Sequence, residues 1–277
     1  MRKEFDDIIH KEAGKSGLVL GLGPSVKVNM ELIEDADRSE NFKLITCNNM
    51  DLLKPDLNYD YWILAQPADE HNPLCLCHDD MTERVRQKGA FFLYTDCLDR
   101  TPYDRVDDQL KDIDFIGYDQ RHFESEPCGW LHESGEKPAC CERIIEGRKT
   151  IQEVFRDVCK YKGPENTYGC GDTVGVHMIA LAVILGLNPI YVTGIDLDYT
   201  DGYFNNKVEL KRTDGRPQDR RALGLSSINN DKAMFGRIIR DISTIRKMAK
   251  NIGVEIYVLD SGGNISEVLQ HKRPDNI

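Results

Sequence analysis

Two glycine-rich segments and one aspartate-rich segment carry the residue types from which a nucleotide site could be built. The first is Gly21-Leu-Gly23-Pro24-Ser25, which directly follows an apolar run. Glycines allow backbone amides to approach a phosphate without a side-chain clash, and a serine hydroxyl adds one more donor. The spacing is neither G-x-G-x-x-G nor a P-loop lysine motif, so dinucleotide and Walker-type sites are not predicted. A plain strand-to-helix turn explains the same residues equally well.

The second segment, Gly169-Cys-Gly-Asp-Thr-Val-Gly175, precedes and opens an apolar helix. Unpaired amides at a helix N-terminus and the positive end of the helix dipole favour an anion, which makes Thr173 and Gly175 candidate binding residues. Asp172 offers another interpretation, because as an N-cap it would satisfy those amides itself. His177 lies on a largely apolar face of the same helix and is interpreted as a structural histidine.

The third segment places closely spaced acids after a predicted strand, in Gly194-Ile-Asp196-Leu-Asp198-Tyr199. Carboxylates at a strand end could act as a general base, bind ribose hydroxyls or hold a divalent metal. Asp198 and Asp196 are the candidate bases and Tyr199 a candidate phosphate contact. A solvated Asp-rich turn is the alternative interpretation.

A basic stretch follows, with six basic residues against three acids between positions 207 and 221, in a chain whose net charge is -11. We interpret residues 198–230 as a lid loop, in which Arg212 and Arg216 would contact a nucleotide phosphate. A mobile, solvated loop would show the same pattern.

Composition bounds the remaining possibilities. The negative net charge argues against a protein that binds duplex nucleic acid, and no apolar run is long enough to predict a membrane span. The N-terminal residues carry acids where a signal peptide needs an apolar stretch. Nine cysteines, an odd number, indicate reduced thiols in a cytoplasmic protein. Cys75, Cys77 and His78 could contribute to a zinc site, but the paired C-x2-C spacing is missing and no metal site is predicted.

The elements that must position these residues alternate in type along the chain. Strands are predicted at 17–23, 42–48, 61–66, 90–94, 188–196 and 254–260. Helices are predicted at 4–15, 80–88, 150–161, 172–185, 230–251 and 265–269. This alternation predicts a single α/β domain over 1–277, Rossmann-like, with a mostly parallel open sheet, helices on both faces and an irregular Cys-rich insertion or cap at about 97–166. Asn48 and Gln66 end two strands, at the edge where such sheets bind ligands.

The combination of G-x-G-P-S, C-N-N, T-x-G at the start of an apolar helix and G-I-D resembles a known group. It resembles the motility accessory factor and 6-hydroxymethylpterin diphosphokinase families and the related bacterial lipooligosaccharide sialyltransferases. The resemblance covers residues 17–67 and 170–260 and leaves the Cys-rich insertion unmatched.

The resemblance implies roles for individual residues. Gly21, Gly23 and Ser25 would lie by the donor phosphate and ribose, Asn48 and Gln66 would bind the nucleotide, and Thr173 and Gly175 would flank the cytidine and phosphate. Asp198 occupies the position of a tyrosine that contacts the phosphate in sialyltransferases. The sialyltransferase base histidine has no counterpart, and Leu22 replaces an asparagine, which favours the other two branches.

Three functions remain open at this point. The leading hypothesis is a glycosyltransferase that uses a nucleotide-activated sugar, a CMP-linked nonulosonic or sialic acid, without a cofactor and with a glycan or protein as acceptor. The alternative is a diphosphokinase that transfers pyrophosphate from ATP, with Mg held by aspartates. The third is a non-catalytic nucleotide-binding module. The sequence leaves homo-oligomerisation open.

Overall fold

An eight-stranded sheet forms the centre of the protein. The computed structural model describes residues 3, 5–64, 79–95, 111–118, 174–197, 204–205, 232–260 and 263–275. The strands are β1 (Ser16–Leu20), β2 (Phe42–Cys47), β3 (Tyr61–Leu64), β4 (Phe91–Thr95), β5 (Phe115–Tyr118), β6 (Ile190–Thr193), β7 (Ile256–Val258) and β8 (Gln270–His271).

The strand order is β5-β4-β3-β2-β1-β6-β7-β8, and every pairing in this sheet is parallel. The chain moves outward from β1 to β5, returns to the other side of β1 as β6, and then moves outward in the opposite direction. The order therefore reverses between β1 and β6, which is where open parallel sheets bind ligands beyond their carboxyl ends.

Five helices accompany these strands in the described part of the chain. They are α1 (Met30–Arg38), α2 (Met50–Leu53), α3 (Asp79–Lys88), α4 (Val174–Ile184) and α5 (Lys232–Asn251). Right-handed crossovers place α1 and α5 on opposite faces, because the chain leaves β1 and β6 in opposite directions along the sheet. The structure thus confirms the predicted Rossmann-like α/β class with helices on both faces.

Helix α4 is apolar all round because it is covered on every side. It packs against β1, β2, β6 and α5, and every residue from Gly175 to Ile184 is buried. A helix that is hydrophobic on all faces belongs in an interior. No helix in the described residues combines the length and apolar character that crossing a bilayer needs.

Three predicted elements differ from the structure. Instead of a helix at 4–15, the chain forms one 3-10 turn, Phe5–Ile8. Part of the predicted insertion belongs to the sheet, because residues 115–118 form the edge strand β5. The terminal helix is a 3-10 turn, Asn264–Glu267, followed by the short edge strand β8. Strands β5 and β8 were not predicted, because edge strands of four and two residues are too short to show an alternation of apolar and polar residues. The predicted helix at 150–161 lies outside the described residues.

A buried polar cluster joins the N-terminal segment to β3, at the opposite edge from the strand carboxyl ends. The Tyr61 hydroxyl donates to Glu12 Oε1 at 2.7 Å, and Lys15 Nζ lies 3.0 Å from Glu12 Oε2. Burial raises the pKa of Glu12, but the hydrogen bonds from Tyr61 and Lys15 outweigh it and leave that pKa below its usual value. Glu12 is therefore held as a carboxylate.

We expect Tyr61→Phe to lower the free energy of unfolding at pH 7 by about 2 kcal/mol, because a buried carboxylate loses a donor. The folded-state pKa of Glu12 lies below the unfolded value, so this contribution is present above the ordinary pKa of 4.5 and is lost as pH falls through the folded value. Urea unfolding at pH 7 and at pH 3 measures both effects.

Tyr59→Phe is the matched control. Tyr59 is also buried, and its hydroxyl has no hydrogen-bond partner in the described structure. This variant should unfold at the wild-type urea concentration at both pH values. Equal effects of the two substitutions would contradict the role assigned to the Tyr61 hydroxyl.

Candidate functional site

The segments that follow β1 and β6 meet at the carboxyl edge of the sheet, where the strand order reverses. We call residues 21–25 and 194–197 together the β1–β6 edge. Both of these segments were singled out in the sequence, one for its glycines and the other for Asp196. They lie side by side because β1 and β6 pair in register, Leu20 opposite Thr193.

The two backbones of the β1–β6 edge approach each other more closely than side chains would allow. The Gly21 amide donates to the Thr193 carbonyl at 2.8 Å and the Gly23 amide to the Gly194 carbonyl at 2.9 Å. A Cβ on Gly21 would lie 2.0 Å from the Gly194 oxygen, and one on Gly194, whose φ is +73°, would lie 2.5 Å from the Gly21 oxygen. These glycines are therefore required by contact between two parts of the same chain.

The Asp196 carboxylate occupies the glycine turn. Its Oδ2 accepts the Ser25 amide at 3.0 Å, and a Cβ on Gly23 would lie 2.2 Å from the same oxygen. Ser25 belongs to the 3-10 helix Pro24–Asn29, so Asp196, which follows the neighbouring strand β6, caps this helix. The amides of Gly21, Gly23 and Ser25 are thus engaged within the chain. The expectation that these amides face a phosphate is not met, because carbonyl and carboxylate oxygens already accept from them.

A network of hydrogen bonds between hydroxyl and amide groups holds the glycine turn against the segment after β6. The Gly194 amide donates to Ser25 Oγ at 2.7 Å, and Ser25 Oγ lies 3.2 Å from Thr193 Oγ1. Asn29 Nδ2 donates to the Ser25 carbonyl at 3.0 Å and to Thr193 Oγ1 at 3.1 Å. Arg273 Nη2 donates to Asn29 Oδ1 at 3.1 Å. Sequence reasoning missed Asn29, Thr193 and Arg273, and only Thr193, beside the G-I-D motif, carried a local signal.

Helix α4 begins at the same edge. A Cβ on Gly175 would lie 2.8 Å from Ile195 Cγ2, so the first turn of α4 packs directly against the segment after β6. The glycine turn and the start of α4 thus contact one segment, Gly194–Asp196. His177, two residues further along α4, is buried. Thr173 and Asp172 lie outside the described residues.

Asn48, the candidate nucleotide ligand after β2, is held in a left-handed conformation with a φ of +47°. Its amide donates to the Ile63 carbonyl at 3.0 Å, and its carbonyl accepts from the Trp62 indole at 3.0 Å. Residues of β3 therefore bind both the amide and the carbonyl of Asn48. Asparagine tolerates the left-handed conformation better than most residues. Gln66 lies outside the described residues.

Two residues of the predicted lid loop are described, and both contact the carboxyl edge. The amide of Phe204, whose side chain is buried, donates to the Leu22 carbonyl at 2.9 Å. Asn205 Nδ2 donates to the Leu53 carbonyl at 2.8 Å. This part of the chain therefore runs from the β1–β6 edge towards α2. Asp198, Tyr199, Arg212 and Arg216 lie outside the described residues.

The described residues show neither a metal centre nor an activated thiol. No group of three His, Cys, Asp or Glu side chains within them could hold a metal ion, and Cys75, Cys77 and His78 lie outside them. Burial raises the pKa of the Cys47 thiol to about 12, so Cys47 stays protonated at neutral pH and is a core residue.

The chain is similar to solved sialyltransferase structures. It is 14% identical to the sialyltransferase CstII from Campylobacter jejuni in complex with the substrate analogue CMP-3FNeuAc, with a TM-score of 0.48 over 94% of this chain and 86% of that chain. It is 15% identical to the sialyltransferase CST-II in complex with a trisaccharide acceptor and CMP, with a TM-score of 0.49 over 95% of this chain and 88% of that one. No protein-family model and no curated protein matches the sequence. Similarity at this level assigns neither a substrate nor a residue role to this chain.

We expect Gly194→Ala to lower the free energy of unfolding by at least about 4 kcal/mol or to prevent folding, because the new Cβ would overlap a backbone oxygen that cannot move aside. Gly253→Ala is the control, since Gly253 has a φ of +79° and open space around it. That variant should lose only about 1 kcal/mol, the cost of a left-handed alanine. Chemical denaturation measures both values, and equal losses would contradict the steric role of Gly194.

Proposed function

We propose that this chain is a glycosyltransferase that uses a nucleotide-activated sugar. The observation that carries the proposal is the convergence of the glycine turn, Asp196, the start of α4 and Phe204 on one carboxyl edge, at the point where the strand order reverses. Ligands of open parallel sheets bind in this crevice. The net charge of -11 favours a small-molecule donor and a glycan or protein acceptor over nucleic acid.

The donor in this proposal is a CMP-linked nonulosonic or sialic acid, and the support for it is the sequence resemblance of residues 17–67 and 170–260. The acceptor hydroxyl attacks the anomeric carbon, the bond from that carbon to the phosphate oxygen breaks, and CMP leaves with the electron pair. A carboxylate takes the acceptor proton. Arg212, Arg216 and Tyr199 stabilise the leaving phosphate, with Thr173 at the helix start.

Of the two candidate bases, Asp196 has a described contact that argues against a role as base. The Asp196 carboxylate already accepts the Ser25 amide at 3.0 Å and caps a helix, so it holds the β1–β6 edge together. Moving it to take a proton would break that contact. Asp198 is therefore the proposed base, and Asp196 is proposed to position the edge and bind the nucleotide.

A nucleotide panel tests the proposal. We expect CMP to raise the midpoint of thermal unfolding of the full chain, with the same shift in magnesium and in EDTA, because the proposed donor site needs no metal. UDP and ATP serve as comparison ligands. Stabilisation by ATP that requires magnesium would instead support pyrophosphate transfer, and stabilisation by CMP without any turnover would support a binding module.

Two isosteric substitutions separate the acids. We expect Asp198→Asn to lower kcat by about 10³-fold, because a general base is lost. Asp196→Asn keeps an acceptor for the Ser25 amide, so it should raise KM several-fold with a much smaller change in kcat. Steady-state kinetics with the donor found in the panel measures both. Full activity of Asp198→Asn, or a larger kcat loss in Asp196→Asn, would remove the assignment.

A further inference from the structure

Arg84 links α3 to the short helix α2, which follows β2 at the carboxyl edge of the sheet. Its Nε and Nη2 atoms donate to the two carboxylate oxygens of Asp51, at 2.5 and 2.6 Å. Nη2 also lies 3.4 Å from Asn49 Oδ1. Asp51 is 7% exposed and Asn49 is 1% exposed. This two-point contact fixes the direction of the Asp51 carboxylate as well as its distance, which the point charge of a lysine would not do.

Stability alone does not explain a charged pair in this buried position. Taking two charges out of water costs about as much as their mutual attraction returns, so an apolar pair of similar size often gives equal stability. The remaining physical effect of the pair is to hold α2 in one orientation. Lys88, one turn further along α3, donates to the Pro55 carbonyl at 2.6 Å. Helix α3 therefore holds both the start of α2 and the residues that follow it.

Helix α2 joins two parts of the carboxyl edge. At its start, Asn49 directly follows the candidate nucleotide ligand Asn48, and the Asn49 carbonyl accepts the amides of Leu52 and Leu53, each at 3.1 Å. At its end, the Leu53 carbonyl accepts Asn205 Nδ2 at 2.8 Å. A shift of α2 would therefore move Asn48 and Asn205 together.

The Asn48 backbone depends on contacts from both of its neighbours in space. Its φ of +47° is a conformation that few residues other than glycine adopt. The Trp62 indole donates to the Asn48 carbonyl at 3.0 Å, which holds the residue against β3. Arg84 holds the residues that follow, because it binds Asn49 and Asp51. The orientation of Asn48 is thus set by β3 on one side and by α3 on the other.

We propose that Arg84 is a positioning residue for nucleotide binding, which acts by holding α2 in place through Asp51. Because α2 follows Asn48 and contacts Asn205, the two-point contact keeps both of these residues in place at the carboxyl edge. The sequence motifs include neither Arg84 nor Asp51, since the pair joins positions 33 apart. The inference rests on the proposed function only in requiring a nucleotide ligand at this edge.

Two lysine variants test the two-point contact. Arg84→Lys keeps the charge beside Asp51 but cannot bind both of its oxygens. Titration calorimetry of the full chain with CMP should show about tenfold weaker binding in this variant, because a hydrogen bond to a charged group is lost. Arg86→Lys is the matched control, because Arg86 is an exposed residue of the same helix. It should keep the wild-type affinity, and equal affinities of the two variants would overturn the inference.

A double variant separates positioning from stability. Asp51→Leu combined with Arg84→Met replaces the ion pair by apolar side chains and leaves no unpaired charge, so it should unfold near the wild-type urea concentration. CMP should still bind about tenfold more weakly, because nothing orients α2. Wild-type affinity in this variant would show that the pair serves stability alone and would overturn the inference. If the double variant does not fold, the two lysine variants decide the question.

The Trp62 indole N–H, which donates to the Asn48 carbonyl, reports on the same contact without a ligand. The sequence has two tryptophans, so Trp62→Phe identifies its signal. Hydrogen exchange at this group should be about fivefold faster in Arg84→Lys than in Arg86→Lys, because local opening becomes easier. Equal rates would overturn the inference but leave the proposed function standing.

The choice of nucleotide tests the proposed function separately. If ATP binds in place of CMP, the proposed donor is wrong, and the affinities of the two lysine variants for ATP then test Arg84 in the same way. If no nucleotide binds the wild-type chain, both the proposed function and the role of Arg84 in binding are overturned.

Discussion

The structure depends on the close approach of two backbones after β1 and β6. Gly21 and Gly194 allow this approach because a Cβ on either would meet the carbonyl oxygen of the other. Parallel strands need long crossover connections, so this contact joins positions far apart in the sequence. Once it forms, Asp196 reaches Ser25, Thr193 reaches Asn29, and the first turn of α4 packs on Ile195. The candidate site is thus a consequence of one packing constraint at the reversal of strand order.

The sequence predicted which segments meet at this edge but not how they use their polar groups. Apolar runs at 17–23, 42–48 and 188–196 indicated the strands, and the apolar run at 172–185 indicated a helix, since these signals are local. The hydrogen bond from the Ser25 amide to Asp196 joins residues 171 positions apart. It follows from the register of β1 against β6, which local sequence patterns do not show. The short strands β5 and β8 were not predicted because they show no periodicity. Because β8 was not predicted, the sequence also could not show that Arg273, which follows it, lies beside Asn29.

The glycine turn shows why a phosphate-type pattern has two physical explanations. Glycines are needed wherever a backbone approaches something closely, and that partner can be a ligand or another strand. Here the partner is the chain itself, since the amides of Gly21 and Gly23 bond to carbonyls after β6.

Under the proposed function, the basic stretch at 207–221 would offset the negative charge of the site. A donor that carries a phosphate must approach an edge where Asp196 and Asp198 follow β6, in a chain of net charge -11. Those charges oppose its binding, and none of the residues 21–25 and 194–197 is a cation, while Arg273 is bonded to the nearby Asn29. The six basic residues that follow the acids would supply it, because Phe204 and Asn205 lead the chain across the same edge immediately before them. An acidic base and an anionic donor can share one site only with such a local reversal of charge.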